Sequence, residues 1–348
     1  MISALSILLL ASTAAGRDIT FPPVAGYQSP MIHVSGHESI DITGAKFAGL
    51  TTFANLPYVH CLDQSGFEKY DIAILGAPFD TGVTARPGAR VGPNGIRTGS
   101  RRIHPDSAWS IYNGKNVFKE WATIVDCGDA PLTVLDNTVA LKQLDMAHKI
   151  ISSRATNTTD YTGRVIHFDS HIDTWDPEVL GGGVSHYAGV NHGTFLHIAH
   201  EEGLIKNTSI HAGIRAPVVN KKHDLRNDRK CGFEMITARD IDRITPQGVI
   251  EKIKRRVAGT KVYISVDIDV LDPAYAPATG TAEVGGWTTR ELLTILDGLS
   301  GLDVIGGDVV EVAPIYDNAG EPTTLAASEV VMSLLRLMVD QPVKAGQD

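Results

Sequence analysis

The sequence predicts a single three-layer α/β domain, a mainly parallel sheet with helices on both faces. Three observations carry this expectation. The chain has 348 residues, 43% hydrophobic and 20% charged, an ordinary globular balance and enough length for a sizeable core. Short apolar runs that read as buried strands alternate with longer stretches of helical periodicity, the pattern of parallel strands joined through helices. Reactive side chains gather just after the apolar runs, and in such sheets ligands collect beyond the carboxyl ends of the strands.

The expected strands are 71–75, 121–125, 164–168, 209–212, 261–267 and 303–309. Helical patterns are clearest at 140–152, 193–202, 247–257, 289–299 and 325–339. No internal repeat or low-complexity tract interrupts them. Ahead of the domain, residues 4–10 form an apolar run, followed by small residues at 11–16 and then Arg17-Asp18. The run is too short to span a bilayer as a helix and suits the core and cleavage zone of a secretory signal, although no Lys or Arg precedes it. The expected division is a signal peptide at 1–16, a Gly-, Pro- and Ser-rich arm at 17–65 and the α/β domain at 66–348. The protein would then be secreted or reside in the secretory pathway, with no membrane span. The sequons at Asn157 and Asn207 are compatible with that route. Cys61, Cys127 and Cys231 allow at most one internal disulfide, and their spacing selects no pair. A net charge of -9 and a pI near 5.8 argue against a nucleic-acid partner, which needs a basic face. The same charge suits a small cationic substrate, and is equally a common route to solubility.

The chemistry concentrates at two strand ends. The 164–168 run passes directly into Asp169-Ser170-His171-Ile172-Asp173, and the 261–267 run ends in Asp267-Ile268-Asp269. Ionised groups at the end of a buried strand need partners. Alternate residues of an extended segment point the same way, so Asp169, His171 and Asp173 can converge on one site. Four carboxylates and one imidazole are too rich in oxygen for a structural zinc site, and suit a pair of manganese or similar divalent ions.

The segments HFDSHIDTW (167–175) and SVDIDVLDPAYAPATGTAEVGG (265–286) resemble the metal-binding signatures of the ureohydrolases, the arginase and agmatinase family. GAPFDTGVTARPGARVGPNGIR (76–97), NHGTF (191–195) and GGDVVEVAPIYD (306–317) are similar to further family segments, in family order. The resemblance implies two Mn2+ per chain, with Asp169 and Asp267 bridging them. His171 and Asp269 would complete one shell, and Asp173 would serve the other. His192 would be the proton shuttle to the leaving amine, and Glu283 the partner of the substrate's guanidinium. Asp80, Arg86 and Arg90 read as an ion-pair network, and Asp308 and Glu311 as support. The implied reaction is hydrolysis of agmatine to putrescine and urea by a metal-bridging hydroxide, a step of polyamine biosynthesis. Guanidinobutyrate or arginine are the alternative substrates, and a trimer or hexamer is the expected assembly.

One family element is absent. A Gly-Gly-Asp-His segment normally ends its own strand before the first metal cluster, and its histidine is the sixth protein ligand. Here the 140–152 helix is followed by polar residues 154–160 and then at once by the 164–168 strand. A strand-helix unit is therefore expected to be missing. His148, within a helical pattern, and His167, beside the cluster, are not expected to replace the lost ligand. The alternative to an active hydrolase is a catalytically impaired chain of the same fold: a splice variant, a gene-model error or a pseudo-enzyme that binds without turnover.

Overall fold

The structure is a computed structural model that describes residues 49–63, 69–154, 163–181, 183–185 and 187–342. The 4–10 run, most of the 17–65 arm and the Asn157 sequon lie outside these residues. The elements in chain order are β1 (Ile72–Gly76), α1 (Gly92–Gly99), β2 (Ile124–Asp129), α2 (Asn137–Arg154), β3 (Arg164–Phe168), α3 (Phe195–Glu201), β4 (Ser209–Ile214), α4 (Lys221–Lys230), β5 (Phe233–Thr237), α5 (Ile241–Val257), β6 (Lys261–Asp267), α6 (Thr289–Gly298), β7 (Asp303–Val310) and α7 (Pro322–Asp340). Short 3-10 turns join them.

Every pairing between these strands is parallel. Five strands form one sheet in the order β5-β4-β3-β6-β7, while β1 and β2 pair separately. β3 is central, with His167 opposite His211 on one side and Ser265 on the other. The even-numbered residues Ile166, Phe168, Ile210, Ala212, Val262, Ile264 and Val266 face one way and are sealed by α5, α6 and α7 through Val249, Ile253, Ile295 and Val330. On the opposite face Val165 packs with Leu196 of α3 and with Phe233. Full burial of side chains this size stabilises by roughly 1.5–3 kcal/mol each, which is why the alternation is obeyed so strictly here.

α7 underlies both sheets: Val330, Leu334 and Leu337 meet the larger one, while Met332, Leu335 and Val339 meet Ile72 and Ile124. It is long and apolar enough to cross a membrane, but 67% of that apolar window is buried inside the protein. Its apolarity is that of a core helix. Among the described residues, β1 has no strand partner other than β2 and β7 none other than β6. Gly307, in the middle of β7, is exposed, which is unusual for a strand of a parallel sheet.

β5, α1 and α4 were not expected from the sequence. α4 reads KKHDLRNDRK and offers no apolar stripe; it is fixed instead by an Asn220 cap and by buried Asp224, Asn227 and Asp228. α1 carries Gly at both ends and a Pro in its first turn. The arm residues that are described include core positions: Phe53 and Ala54 are fully buried, and Phe53 donates its backbone N–H to Asp126 at 2.7 Å. Cys61 and Cys127 form a disulfide with Cα atoms 5.3 Å apart, and Cys231 is free, buried and pushed up to about 11 by that burial.

Candidate metal centre

β3 and β6 are neighbours in the sheet and end at the same level, because Phe168 pairs with Val266. Their exits bring Asp169, His171, Asp173, Asp267 and Asp269 together. The four aspartates are buried, and the His171 side chain is 16% exposed. His171 Nδ1 lies 3.2 Å from Asp169 Oδ1 and 3.1 Å from Asp269 Oδ2. Asp169, His171 and Asp269 form one convergent trio, and His167, Asp169 and Asp173 form a second, in each case with donor atoms within 4.8 Å of one another. Asp267 lies outside both trios; it accepts from the Asp269 N–H at 2.8 Å and holds the turn between them.

The inclusion of His167 corrects the expectation from sequence. A residue two positions before Asp169 on a strand shares its face, and the strand end is straight enough to bring both side chains together. His167 Nε2 stands 3.1 Å from Asp169 Oδ2, and neither atom makes a hydrogen bond although both are buried. His148 is exposed on α2 and contributes nothing to either trio.

The electrostatics fit a cation. Burial and the neighbouring Asp169 carboxylate push Asp173 well above the usual carboxylate range, and burial with Asp269 and Asp169 does the same to Asp267. Burial pushes Asp169 up too, but the imidazoles of His167 and His171 outweigh it and hold the group low. Burial opposes a charge on His171, yet Asp169 and Asp269 lift it to about 11. Carboxylates crowded in low dielectric with orphaned donor atoms are what a divalent ion would satisfy, and the oxygen-rich donor set suits manganese better than a structural zinc.

Around this cluster stand the other expected residues. His192 accepts at Nε2 from the Thr84 N–H (3.2 Å), with the Thr84 hydroxyl 2.9 Å away, and its Nδ1 faces Glu311 Oε1 at 3.9 Å. Burial and the cationic His171 lower its pKa, so it is neutral at pH 7. Glu283 is at the rim, its side chain 35% exposed and Oε1 3.9 Å from His171 Nε2.

Glu311, expected only as support, faces the cluster directly. Its φ is +59°, a left-handed backbone just past the end of β7. Its Oε2 is buried without a hydrogen-bond partner, and a Cβ on Gly280 would come within 3.1 Å of it. Burial, then Asp269 and Asp169, push its pKa up to about 7. The signal was present, since Glu311 directly follows an apolar run. Arg215 was not singled out either. It follows β4 by the same rule and clamps the loop after β6, its Nη2 donating to the carbonyls of Asp269 (2.6 Å) and Glu283 (2.8 Å). Asp308 supports from behind, accepting from Tyr263 and Ser265 at 2.7 Å. Asp80 and Arg90 pair as expected, but Arg86 does not join them: it stacks over Tyr316 and donates to the Gly280 carbonyl.

A parallel α/β sheet whose strand ends carry two aspartate-rich turns able to hold a metal ion sets the class of site. Comparison with known proteins makes the class specific. The model of the Arginase family matches residues 70–159 and 150–336, so the chain belongs to that family and is an arginase-family hydrolase. It is 46% identical over 334 positions to "Putative agmatinase 1" of Schizosaccharomyces pombe, covering 85% of this chain and 84% of that one. It is 34% identical to an agmatinase of Neisseria meningitidis, covering 77% and 87%. Among solved structures, the proclavaminate amidino hydrolase of Streptomyces clavuligerus superposes with a TM-score of 0.74 at 30% identity, over 85% of this chain and 99% of that one.

Proposed function

We propose that this protein hydrolyses a guanidino compound to urea and an amine in a manganese-dependent reaction, with agmatine the preferred substrate and guanidinobutyrate or arginine the alternatives. The observation that carries the reading is the pair of trios sharing Asp169, with His192 and Glu311 facing them. Bound divalent ions would supply an acidified water at neutral pH. The proposed ligands are Asp169, His171, Asp173, Asp267 and Asp269. The protein's own groups do the rest. Glu311 receives the planar guanidinium, for which a two-oxygen acceptor is the matching shape, and its orphaned Oε2 is where that cation is compensated. Glu283, assigned that part from sequence, sits at the rim and would screen which cationic tails enter. Because Nε2 of His192 accepts from Thr84, its proton is held on Nδ1, aimed at Glu311 and so at the bound substrate. As the carbon–nitrogen bond breaks, that proton passes to the leaving amine while His192 recovers one from the hydroxyl that the attacking water brought to the carbon, so the ring ends neutral as it began. Agmatine is favoured by the Ala-Pro-Ala-Thr-Gly-Thr segment at 276–281 and by relatives that carry the agmatinase name.

A missing strand-helix unit is proposed to separate this chain from its relatives. The family match comes in two parts that overlap at 150–159, from the last turn of α2 to the residues before β3. The fission-yeast alignment has 334 positions against about 296 residues of this chain (85% of 348), so nearly forty positions are filled by the relative alone. The open edges of β1 and β7 are where a further parallel strand would fit. This favours impaired metal binding as the second reading. The Cys61–Cys127 disulfide supports a secretory route, since disulfides persist in oxidising compartments. Exposed Trp109, Ile111 and Tyr112 support a homo-oligomer. The test is urea release from agmatine, guanidinobutyrate and arginine by the manganese-loaded protein. Release from agmatine at the highest kcat/KM supports the reading; no release from any of the three by the folded protein would sink it, and fewer than two ions bound would then favour the impaired chain.

A further inference from the structure

We propose that His167 supplies a nitrogen ligand to the ion held by Asp169 and Asp173, in the shell that otherwise has no imidazole. The inference rests on the metal-dependent reading above. It begins from the buried row beneath the cluster. Asp228 accepts from the Thr174 hydroxyl at 2.7 Å and stands 2.9 Å from His211 Nε2. Carboxylates only accept, so His211 Nε2 carries the proton and its Nδ1 is left with a lone pair. That lone pair lies 2.9 Å from His167 Nδ1, which must therefore donate. The far nitrogen of His167, Nε2, is then left with a lone pair pointing at the Asp169 carboxylate, 3.1 Å away.

With no proton on Nε2, these two buried atoms repel at that distance unless a metal ion lies between them. A proton on Nε2 could relieve this one contact, but it would leave Asp173, whose donor atom lies within 4.8 Å of the others, uncompensated. One divalent ion answers all three. The spacing also suits it: neighbouring ligands in an octahedral shell with bonds of about 2.1 Å stand about 3 Å apart. The other trio shows the same spacing, 3.1 to 3.2 Å about His171 Nδ1. Asp228 and His211 fix the ring and tautomer of His167 from behind, as carboxylates do for metal-bound histidines generally. His211 stacks on Phe233 at 4.0 Å between ring centres, which holds the row in register with the sheet.

The experiment is manganese binding by the full chain, read by equilibrium dialysis and elemental analysis, with His167→Asn and His171→Asn beside the unaltered protein. Folding of each variant is checked by near-UV circular dichroism. The expected result is two ions in the unaltered chain and, in each variant, one ion retained while the other weakens 10- to 100-fold or more. Pulsed electron paramagnetic resonance of Mn2+ on histidine-15N-labelled His171→Asn gives a direct reading that does not require folded His167→Asn. Nitrogen coupling in that spectrum supports His167 as ligand, and its absence overturns the proposal. Two ions at unchanged affinity in folded His167→Asn overturn it as well. An unaltered chain that binds two ions through His167 yet releases no urea would remove the guanidino reading and leave this proposal standing. Turnover with His167 dispensable would do the reverse. No bound manganese at all would overturn both.

Discussion

Manganese binding to the metal-free protein should release protons, and the amount follows from the electrostatics of the cluster. Burial opposes a charge on His171, but Asp169 and Asp269 lift its pKa to about 11, so at pH 7.5 the ring is protonated on nearly every molecule. An ion taking His171 must displace that proton. Over the 3.5 pH units between 7.5 and about 11, the competition costs roughly 5 kcal/mol of apparent affinity. Burial, Asp269 and Asp169 push Glu311 up to about 7, so part of the population is protonated near neutral pH and would lose that proton beside a divalent cation. Asp173 and Asp267, both held well above the usual carboxylate range, add to the release. The sign is fixed: raising the pH removes the competing protons, so affinity rises at least about tenfold per unit between pH 6.5 and 8.5. Titration calorimetry in phosphate and in Tris checks this, because the observed heat shifts with each buffer's ionisation enthalpy by one proton or more per chain. Equal heats in the two buffers, together with an affinity flat in pH, would refute the electrostatic account of the site.

Three substitutions test the remaining assignments. Glu311→Gln removes the charge but little volume, and should lower kcat/KM for agmatine by the equivalent of about 2–5 kcal/mol, with manganese content unchanged; Glu283→Gln, at the exposed rim, should cost far less, and the reverse ranking would move guanidinium binding to Glu283. His192→Asn removes the proton held on Nδ1 and should cut kcat by about 10²- to 10⁴-fold with little change in KM, measured by urea release. Arg97→Ala would strand Asp126, which Arg97 grips with two nitrogens at 2.8 and 2.9 Å in a fully buried position. Unfolding in urea should report a loss of about 3–5 kcal/mol, and a loss under 1 kcal/mol would mean that Asp126 is compensated by the Phe53 and Gly128 N–H groups alone.

Much of this protein was legible in the chain itself. The strands Arg164–Phe168 and Lys261–Asp267 fall where the apolar runs lie, because burial on both faces leaves few polar positions to blur their limits. The aspartates after them were conspicuous, since charge at the exit of a buried strand has no inexpensive explanation. What the chain could not disclose depends on neighbours remote in sequence. Glu311 looked like support until the fold set it within the field of Asp269 and Asp169. His167 looked redundant until β4 set His211 opposite it and α4 brought Asp228 up behind, fixing which nitrogen is free to bind. Helix α4 itself hid because buried polar contacts, rather than an apolar stripe, hold it down. Periodicity and local composition record what a residue needs from water, and so determined the layers and the carboxylate turns. Orientation is decided by hydrogen bonds between residues 17 to 99 positions apart, as in the His211–Asp228 and Ser170–Asp269 pairs, and only the folded sheet brings those partners together.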